Sequence, residues 1–159
     1  MTENAPNQQT VMARVAISLL VALIVAGAII YGVSSDVRGR LWQDLLDRPS
    51  GMMTFRFILQ PLMAAIAAAR DAVSDARAGR PPYSWAVLTS PTGRGDRLWE
   101  GMRATARIIL LGLVMDTIYQ LIAFHTFYPA EAAVIAVTLA FLPYLILRGP
   151  IERVARWWV

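Results

Sequence analysis

Hydrophobic positions along the chain gather into three long apolar runs, which are separated by stretches rich in arginine. The runs cover residues 15–33, 108–127 and 130–147. Each approaches the length of about 20 apolar residues with which an α-helix crosses the hydrocarbon of a bilayer. The composition agrees, because 57% of the residues are hydrophobic and only 16% are charged. The pattern predicts an all-α integral membrane protein with three transmembrane helices.

The positions of these runs indicate a simple domain organisation. Residues 1–14 are polar and have no apolar periodicity that could be buried, so they are predicted to be disordered. Residues 15–159 are predicted to form a single membrane domain. Its first run is a retained anchor, because it is longer than the apolar core of a signal peptide. The turn between residues 127 and 130 is so short that the last two spans must form an antiparallel hairpin.

The segment 55–78 has a different pattern. Only residues 57–69 are free of charge, and Gln60 and Pro61 interrupt them. The segment is therefore short for a span and typical of a re-entrant or interfacial helix. A fourth transmembrane helix at this place is the alternative. Residues 79–97 follow as a loop, which is predicted to be cytoplasmic.

Two further stretches have the amphipathic pattern of helices that lie in the headgroup region. In residues 36–48, one face carries Trp42 among leucines, and charged residues occupy the other faces. The tail 150–159 likewise separates Ile151 and Trp158 from its charged side chains. Both stretches are predicted to be interfacial helices.

The arginines predict the orientation. All 15 basic residues are arginine, as in proteins from GC-rich bacterial genomes. If the turn at 127–130 faces outward, the region 70–107 with seven arginines and the C-terminal tail with three lie in the cytoplasm. A non-spanning segment 55–78 adds the four arginines of residues 34–56, so that 14 of 15 are inside, whereas four spans would export those four. The predicted location is the bacterial inner (plasma) membrane, multi-pass, with a cytoplasmic C-terminus.

Asp116 is the most informative residue, because it lies within the second apolar run. A carboxylate at bilayer depth is costly unless it is paired, and it marks a candidate functional site. Tyr119 and Gln120 follow one turn later and complete an intramembrane polar site, for which Thr138 and Arg56 are possible partners. Asp116 either hydrogen-bonds across helices to fix the bundle or serves a proton or cation relay. The first hypothesis is favoured, because a relay needs several ionisable groups.

Other chemistry is poorly represented. His125 and Glu131 flank the external hairpin turn and could meet, but two ligands make a weak metal site. Asp71 and Asp75 share a helix face, which also suits a cation, but a solvated cytoplasmic surface is the expectation. The sequence has no cysteine, no phosphate-binding loop and no histidine at the depth of an intramembrane hydroxyl. It is predicted not to be an enzyme and to hold no metal or cofactor.

Five stretches taken together carry a resemblance: Thr54–Pro61, Asp75–Tyr83, Asp116–Gln120, Phe127–Pro129 and Leu147–Pro150. In them the chain resembles a group of small uncharacterised proteobacterial integral membrane proteins, and the likeness covers most of residues 54–153. The resemblance implies no activity, ligand or partner.

Two functional hypotheses follow. The first is a structural or accessory subunit, or an interaction protein, of a membrane complex. The alternative is a small transporter or channel component in which Asp116 titrates. The predicted partners are membrane lipids and either a membrane protein or further copies of the chain. Nucleic acid is not expected despite the net charge of +4, because the arginines flank the apolar runs and suit lipid headgroups.

Overall fold

The computed structural model of the protein describes residues 4–32, 39, 43 and 54–158. Within them lie five helices: α1 (Asn4–Tyr31), α2 (Thr54–Arg77), α3 (Tyr83–Thr89), α4 (Arg94–Ala123) and α5 (Pro129–Ala155). No strand occurs in these ranges, which confirms the predicted all-α class for them. The predicted interfacial helix over 36–48 lies almost entirely outside the described residues.

Four of the helices are long and apolar enough to cross a membrane, namely residues 7–31 of α1 and the whole of α2, α4 and α5. By the length and composition of its helices, the protein is a multi-pass membrane protein. The predicted number of three spans is not confirmed, because α2 qualifies as well. Its 24 residues cover about 36 Å at the α-helical rise, which exceeds the roughly 30 Å of hydrocarbon.

The four long helices alternate in direction. The hydroxyl of Tyr31 at the end of α1 donates to the carbonyl of Phe127 in the α4–α5 turn, at 2.9 Å. Near the opposite end of α1, the guanidinium of Arg107 contacts the sulfur of Met12 at 3.3 Å. Helices α1 and α4 therefore run in the same direction, and the short turn sends α5 back the other way.

The two ends of this bundle differ in charge. The hairpin end holds the turn 124–128 and the start of α2, and the arginine-rich end holds the segment 78–93 and the last turns of α5. Eleven of the 15 arginines lie towards the arginine-rich end: Arg14, the seven between residues 70 and 107, and the three between residues 148 and 156. An excess of arginine at one end is the feature that sets the orientation of a helical membrane protein in the bilayer.

Helix α2 buries small and polar side chains and exposes large apolar ones. Its buried positions recur about every fourth residue: Arg56, Gln60, Ala64, Ala68, Ala72 and Asp75. Its exposed positions include Phe55, Ile58, Leu62 and Ile66. The alanines let α2 lie close to α5, with which it makes its most extensive contact. Large apolar side chains on the outside suit a lipid environment, because hydrocarbon provides no force that would bury them.

Helix α1 packs on the bundle through small residues. Ala13 and Ala16 are fully buried, and Gly27 lies so close to Ala130 that a β-carbon at position 27 would overlap it. The helix begins at Asn4, inside the segment 1–14 for which the sequence predicts disorder. The contacts of Met12 and Ala13 with the bundle give this segment a surface on which a helix is stabilised.

The arginine-rich end has more helix than the sequence predicts. Helix α3 and the first residues of α4 lie within the predicted loop 79–97, because the buried side chains of Tyr83 and Ala86 attach α3 to the bundle. Helix α5 continues through Pro150 to Ala155. The first part of the predicted interfacial tail is therefore continuous with α5, and its interfacial position stays a prediction.

Candidate functional site

Asp116 lies in the interior of the bundle, on the half of α4 nearer the hairpin end, and is fully buried. Its Oδ1 accepts a hydrogen bond from Nη1 of Arg56 in α2 at 2.6 Å, and the two side chains form a salt bridge. Arg56 is itself only 4% exposed. The pair neutralises two charges that would be costly to bury separately.

Two glutamines extend this pair, and each lies one helical turn from the charged residue on its own helix. Gln120 Nε2 donates to Oδ2 of Asp116 at 2.6 Å, and Gln120 Oε1 accepts from the backbone N–H of Tyr128 at 2.6 Å. Gln60 Oε1 accepts from Nε of Arg56 at 3.2 Å, and Gln60 Nε2 donates to a carbonyl of α5 at 3.2 Å. We call these four side chains (Arg56, Gln60, Asp116 and Gln120) the hairpin network. It joins α2, α4, α5 and the turn.

One donor of the hairpin network is left over. Nη2 of Arg56 is buried and makes no hydrogen bond within the described part of the chain. A buried guanidinium with an unused nitrogen is less well compensated than one with a full set of acceptors.

The other predicted members of the intramembrane site lie at its margin. The ring of Tyr119 is half-buried and packs edge-on against Phe124, with 5.5 Å between centroids. Thr138 is half-buried on α5. The carboxylate oxygens of Asp116 accept hydrogen bonds from Arg56 and Gln120, and Thr138 stays a predicted partner.

The two residues that flank the α4–α5 turn lie in different environments. His125 is exposed and has a positive φ of 52°, whereas Glu131 is only 4% exposed. No cluster of three or more His, Cys, Asp or Glu side chains with metal-ligand geometry occurs among the described residues.

A second buried charge network, which sequence reasoning missed, lies at the arginine-rich end. At its centre is Arg148 of α5, which is 1% exposed. Its Nη2 donates to Asp75 of α2 and to Glu100 of α4, both at 2.6 Å, and its Nε donates to Asp75 at 3.0 Å. Its Nη1 donates to the hydroxyl of Tyr144. Every nitrogen of this guanidinium therefore has an acceptor.

Further charges surround Arg148. Nη1 of Arg97 lies 3.3 Å from Oε2 of Glu100 and 3.8 Å from Oδ2 of Asp75. Nη1 of Arg80 lies 3.2 Å from Oδ1 of Asp75. The hydroxyl of Tyr144 donates to a carboxylate oxygen of Asp71 at 2.6 Å. We call the whole set the arginine-rich network: Arg80, Arg97, Arg148, Asp71, Asp75, Glu100, Tyr83 and Tyr144. Its three guanidinium groups and three carboxylates balance in formal charge.

Tyr83, the first residue of α3, covers this network. Its ring lies 4.2 Å from Cζ of Arg148, in cation–π geometry. Its hydroxyl donates to the carbonyl of Arg97 at 2.6 Å, and its backbone N–H donates to Glu152 at 3.1 Å. Burial raises the pKa of Tyr83 to about 12, although the positive charge of Arg148 acts in the opposite direction. The phenol is therefore a protonated donor at neutral pH.

The expectation of a solvated face at Asp71 and Asp75 is wrong for Asp75, which is 1% exposed, and Asp71 is only partly exposed. The physical reason is Arg148, which ends the last apolar run and needs a carboxylate partner when its helix packs against α2. A signal was present in the sequence. An arginine beside an apolar run, with two carboxylates one turn apart on another helix, indicates an interhelical ion pair.

Both networks link helices, and their described groups are carboxylates, guanidinium groups, amides and phenols engaged with one another. No family model, curated protein or solved structure shows significant similarity to this chain.

Proposed function

We propose that this protein is a structural or accessory subunit, or an interaction protein, of a membrane complex. The observation that carries the proposal is the salt bridge between Asp116 and Arg56 at 2.6 Å. Asp116 is the group that most suggests transport, and here it is held between a guanidinium and the amide of Gln120. A carboxylate with two fixed partners holds helices together, whereas a relay group must exchange its proton or cation along a path.

Four transmembrane helices are the topology that we propose. Arg56 is the third residue of α2 and Asp75 is the third from its end. The 19 helical steps from Arg56 to Asp75 correspond to about 28 Å of helix, close to the roughly 30 Å of hydrocarbon. The two charge networks then lie at the two edges of the hydrocarbon, with the alanine-rich part of α2 between them.

The arginine-rich end faces the cytoplasm in this proposal, because it has 11 of the 15 arginines. Both chain termini then lie in the cytoplasm, and the hairpin end lies outside. The four arginines of residues 34–56 are exported, and one of them, Arg56, is neutralised by Asp116. The bacterial inner membrane and membership of the resembling proteobacterial group belong to the proposal. The arginine bias and the five sequence stretches support them.

The partners that we propose are membrane lipids and either another membrane protein or further copies of the chain. Helix α1 has one packed face and one outward face of large apolar side chains, which include Val15, Leu19, Val25 and Ile29. Such a face suits both lipid and the helix of a partner.

Topology is tested with single cysteines, since the chain has none of its own. The substitutions Q43C, R80C, F127C and R153C are placed one at a time and treated with a membrane-impermeant thiol reagent. Positions 43 and 127 should react in intact cells, and positions 80 and 153 only after permeabilisation. If position 43 reacts only after permeabilisation, α2 does not cross and three spans are correct.

The functional class is tested by two measurements on the wild-type protein. Purified in mild detergent through a C-terminal tag, it should retain one other membrane protein in stoichiometric amount or form a homo-oligomer of fixed size, as mass spectrometry reports. In liposomes with a pH-sensitive dye inside, it should conduct protons no faster than protein-free liposomes. A monomer without partners that conducts protons would establish the transport alternative.

A further inference from the structure

An apolar groove lies at the arginine-rich end, between α3 and the C-terminal part of α5. Its volume is about 420 Å³, which is in the range of pockets that bind small ligands. Trp85 and Leu88 of α3 form one wall, and Leu145, Ile146 and Gly149 of α5 form the other. The groove thus offers an apolar surface at the boundary between two helices.

Hydrogen bonds hold α3 in place beside this groove. Arg94 donates to the carbonyls of Val87 and Leu88 at the end of α3, at 2.7 and 3.0 Å. The hydroxyl of Ser84 donates to the carbonyl of Leu145 at 3.2 Å. A fixed α3 means that a ligand meets a preformed groove and need not order it on binding.

One cation lines the groove. Arg153 is exposed and has no ion pair or hydrogen bond within the described ranges, whereas Arg156, nearly one turn later, is held by Glu152 at 2.6 Å. A single available guanidinium beside an apolar groove matches a ligand with an apolar body and an anionic head.

The groove also has a suitable depth, on the four-span placement of the proposed function, on which this inference rests. Leu145 and Arg153 are separated by about 12 Å along α5. Arg148 lies at the edge of the hydrocarbon in that placement, so Leu145 is at the level of acyl chains and Arg153 is among the headgroups. Trp85, which is 59% exposed, lies where tryptophan is enriched in membrane proteins.

We propose that this groove binds an anionic phospholipid of the cytoplasmic leaflet. An acyl chain lies between α3 and α5, and the phosphate accepts hydrogen bonds from Arg153. The apolar walls select a lipid over a soluble anion, and Arg153 selects an anionic over a zwitterionic headgroup.

The test uses the full chain in nanodiscs of phosphatidylcholine that contain a minor fraction of one lipid brominated on its acyl chains. Bromine quenches nearby tryptophan, and the difference between wild type and W85F isolates the signal of Trp85. Brominated phosphatidylglycerol should quench this signal at about fivefold lower fraction than brominated phosphatidylcholine, the preference expected from one arginine near the membrane surface. Equal quenching by the two lipids would overturn the proposal.

Two variants identify the headgroup contact. R153Q should lose the preference for phosphatidylglycerol, and R77Q should keep it, because Arg77 is an exposed arginine at the same end that does not line the groove. Survival of the preference in R153Q, or its loss in R77Q, would contradict the assignment.

Excess glycerol 3-phosphate should leave the quenching unchanged, and reversal by it would reveal a site for soluble phosphate instead of lipid. Cysteine labelling reports the topology independently, so failure of the lipid site and failure of the four-span placement can be told apart.

Discussion

The two buried charge networks lie at opposite ends of α2, yet they are built differently. The hairpin network has one ion pair, Arg56 with Asp116, and Nη2 of Arg56 has no acceptor among the described residues. In the arginine-rich network, Arg148 contacts two carboxylates and a phenol hydroxyl, and each of its nitrogens is satisfied. The first is a pair with amide support, and the second is a network with several partners for each charge.

This difference determines how each end should respond to substitution. Breaking a buried ion pair is costly because it strands one charge, but removing both charges together can be nearly neutral. The hairpin network allows that replacement, since it contains only two charges. In the arginine-rich network any simple exchange leaves other charged groups behind. We therefore expect the hairpin end to tolerate coordinated changes and the arginine-rich end to tolerate few.

The largest effect is expected for R148A. The substitution leaves three carboxylates with two guanidinium groups, and the buried Asp75 loses its two hydrogen bonds from Arg148. The free energy of unfolding should therefore fall by about 3–5 kcal/mol. Reversible unfolding by sodium dodecyl sulfate in mixed micelles, followed by circular dichroism, measures the change. R153A is the matched control, because this neighbouring arginine is exposed, and its effect should stay within about 0.5 kcal/mol. Equal effects of the two substitutions would show that the network adds little stability.

The next effect concerns the ion pair between Arg56 and Asp116, and it tests whether these two charges can be removed together. D116N keeps the shape of the side chain but strands Arg56, so it should destabilise the bundle by about 3 kcal/mol. The double substitution R56M/D116L should restore stability to within about 1 kcal/mol of wild type, because both charges are gone and apolar volume remains. The same unfolding assay on R56M, D116L and the double variant gives the coupling energy between positions 56 and 116. A double variant as unstable as the sum of its single substitutions would contradict the description of an isolated pair.

A third test compares the packing beside the two networks. A β-carbon at Gly112 would overlap the amide of Gln60, and one at Gly149 would overlap the hydroxyl of Ser84. Gln60 is engaged with both Arg56 and α5, whereas Ser84 makes one hydrogen bond. We expect G112A to cost about 2 kcal/mol and G149A about 1 kcal/mol.

Gly93 provides the control for these two glycine substitutions, because nothing lies near its missing side chain. G93A should change the free energy of unfolding by less than about 0.5 kcal/mol. A larger loss in G149A than in G112A would show that the hydrogen bonds of the displaced side chain do not determine the cost.

The apolar runs predicted the helical class and the hairpin because these depend on local composition and on a short turn. They gave α2 as a transmembrane helix only in the alternative, because the charge-free stretch 57–69 between Arg56 and Arg70 is short. Arg56 and Asp75, near the two ends of α2, face partners on α4 and α5, and such pairing depends on helix packing that one segment does not encode. The sequence predicts a loop where α3 lies, because what attaches α3 to the bundle is the burial of Tyr83 against Arg148 and Arg97. These contacts with other helices are not visible in the local sequence.

The hairpin network was partly predictable, and the arginine-rich network was not predicted. Asp116 and Gln120 stand one turn apart within an apolar run, so their proximity follows from helical periodicity alone. Arg148 and Asp75 are 73 residues apart in the chain. Each lies near other charged residues in the sequence, so neither stands out as Asp116 does in its apolar run. The residue types indicate an interhelical ion pair, but the direction and register of α2 and α5 decide which carboxylate meets Arg148.

The smallest effect is expected for Y83F, which removes one hydroxyl from the edge of the arginine-rich network. Loss of its hydrogen bond to the carbonyl of Arg97 should cost about 1 kcal/mol at neutral pH.

Burial raises the pKa of Tyr83 from near 10 to about 12, so folding favours the neutral phenol. This contribution to stability is complete below pH 10 and is lost as the pH rises to 12. Unfolding measured across this range should therefore show a smaller loss of stability in Y83F than in wild type. If wild type and Y83F lost stability in parallel, Tyr83 would not titrate as a buried member of the network.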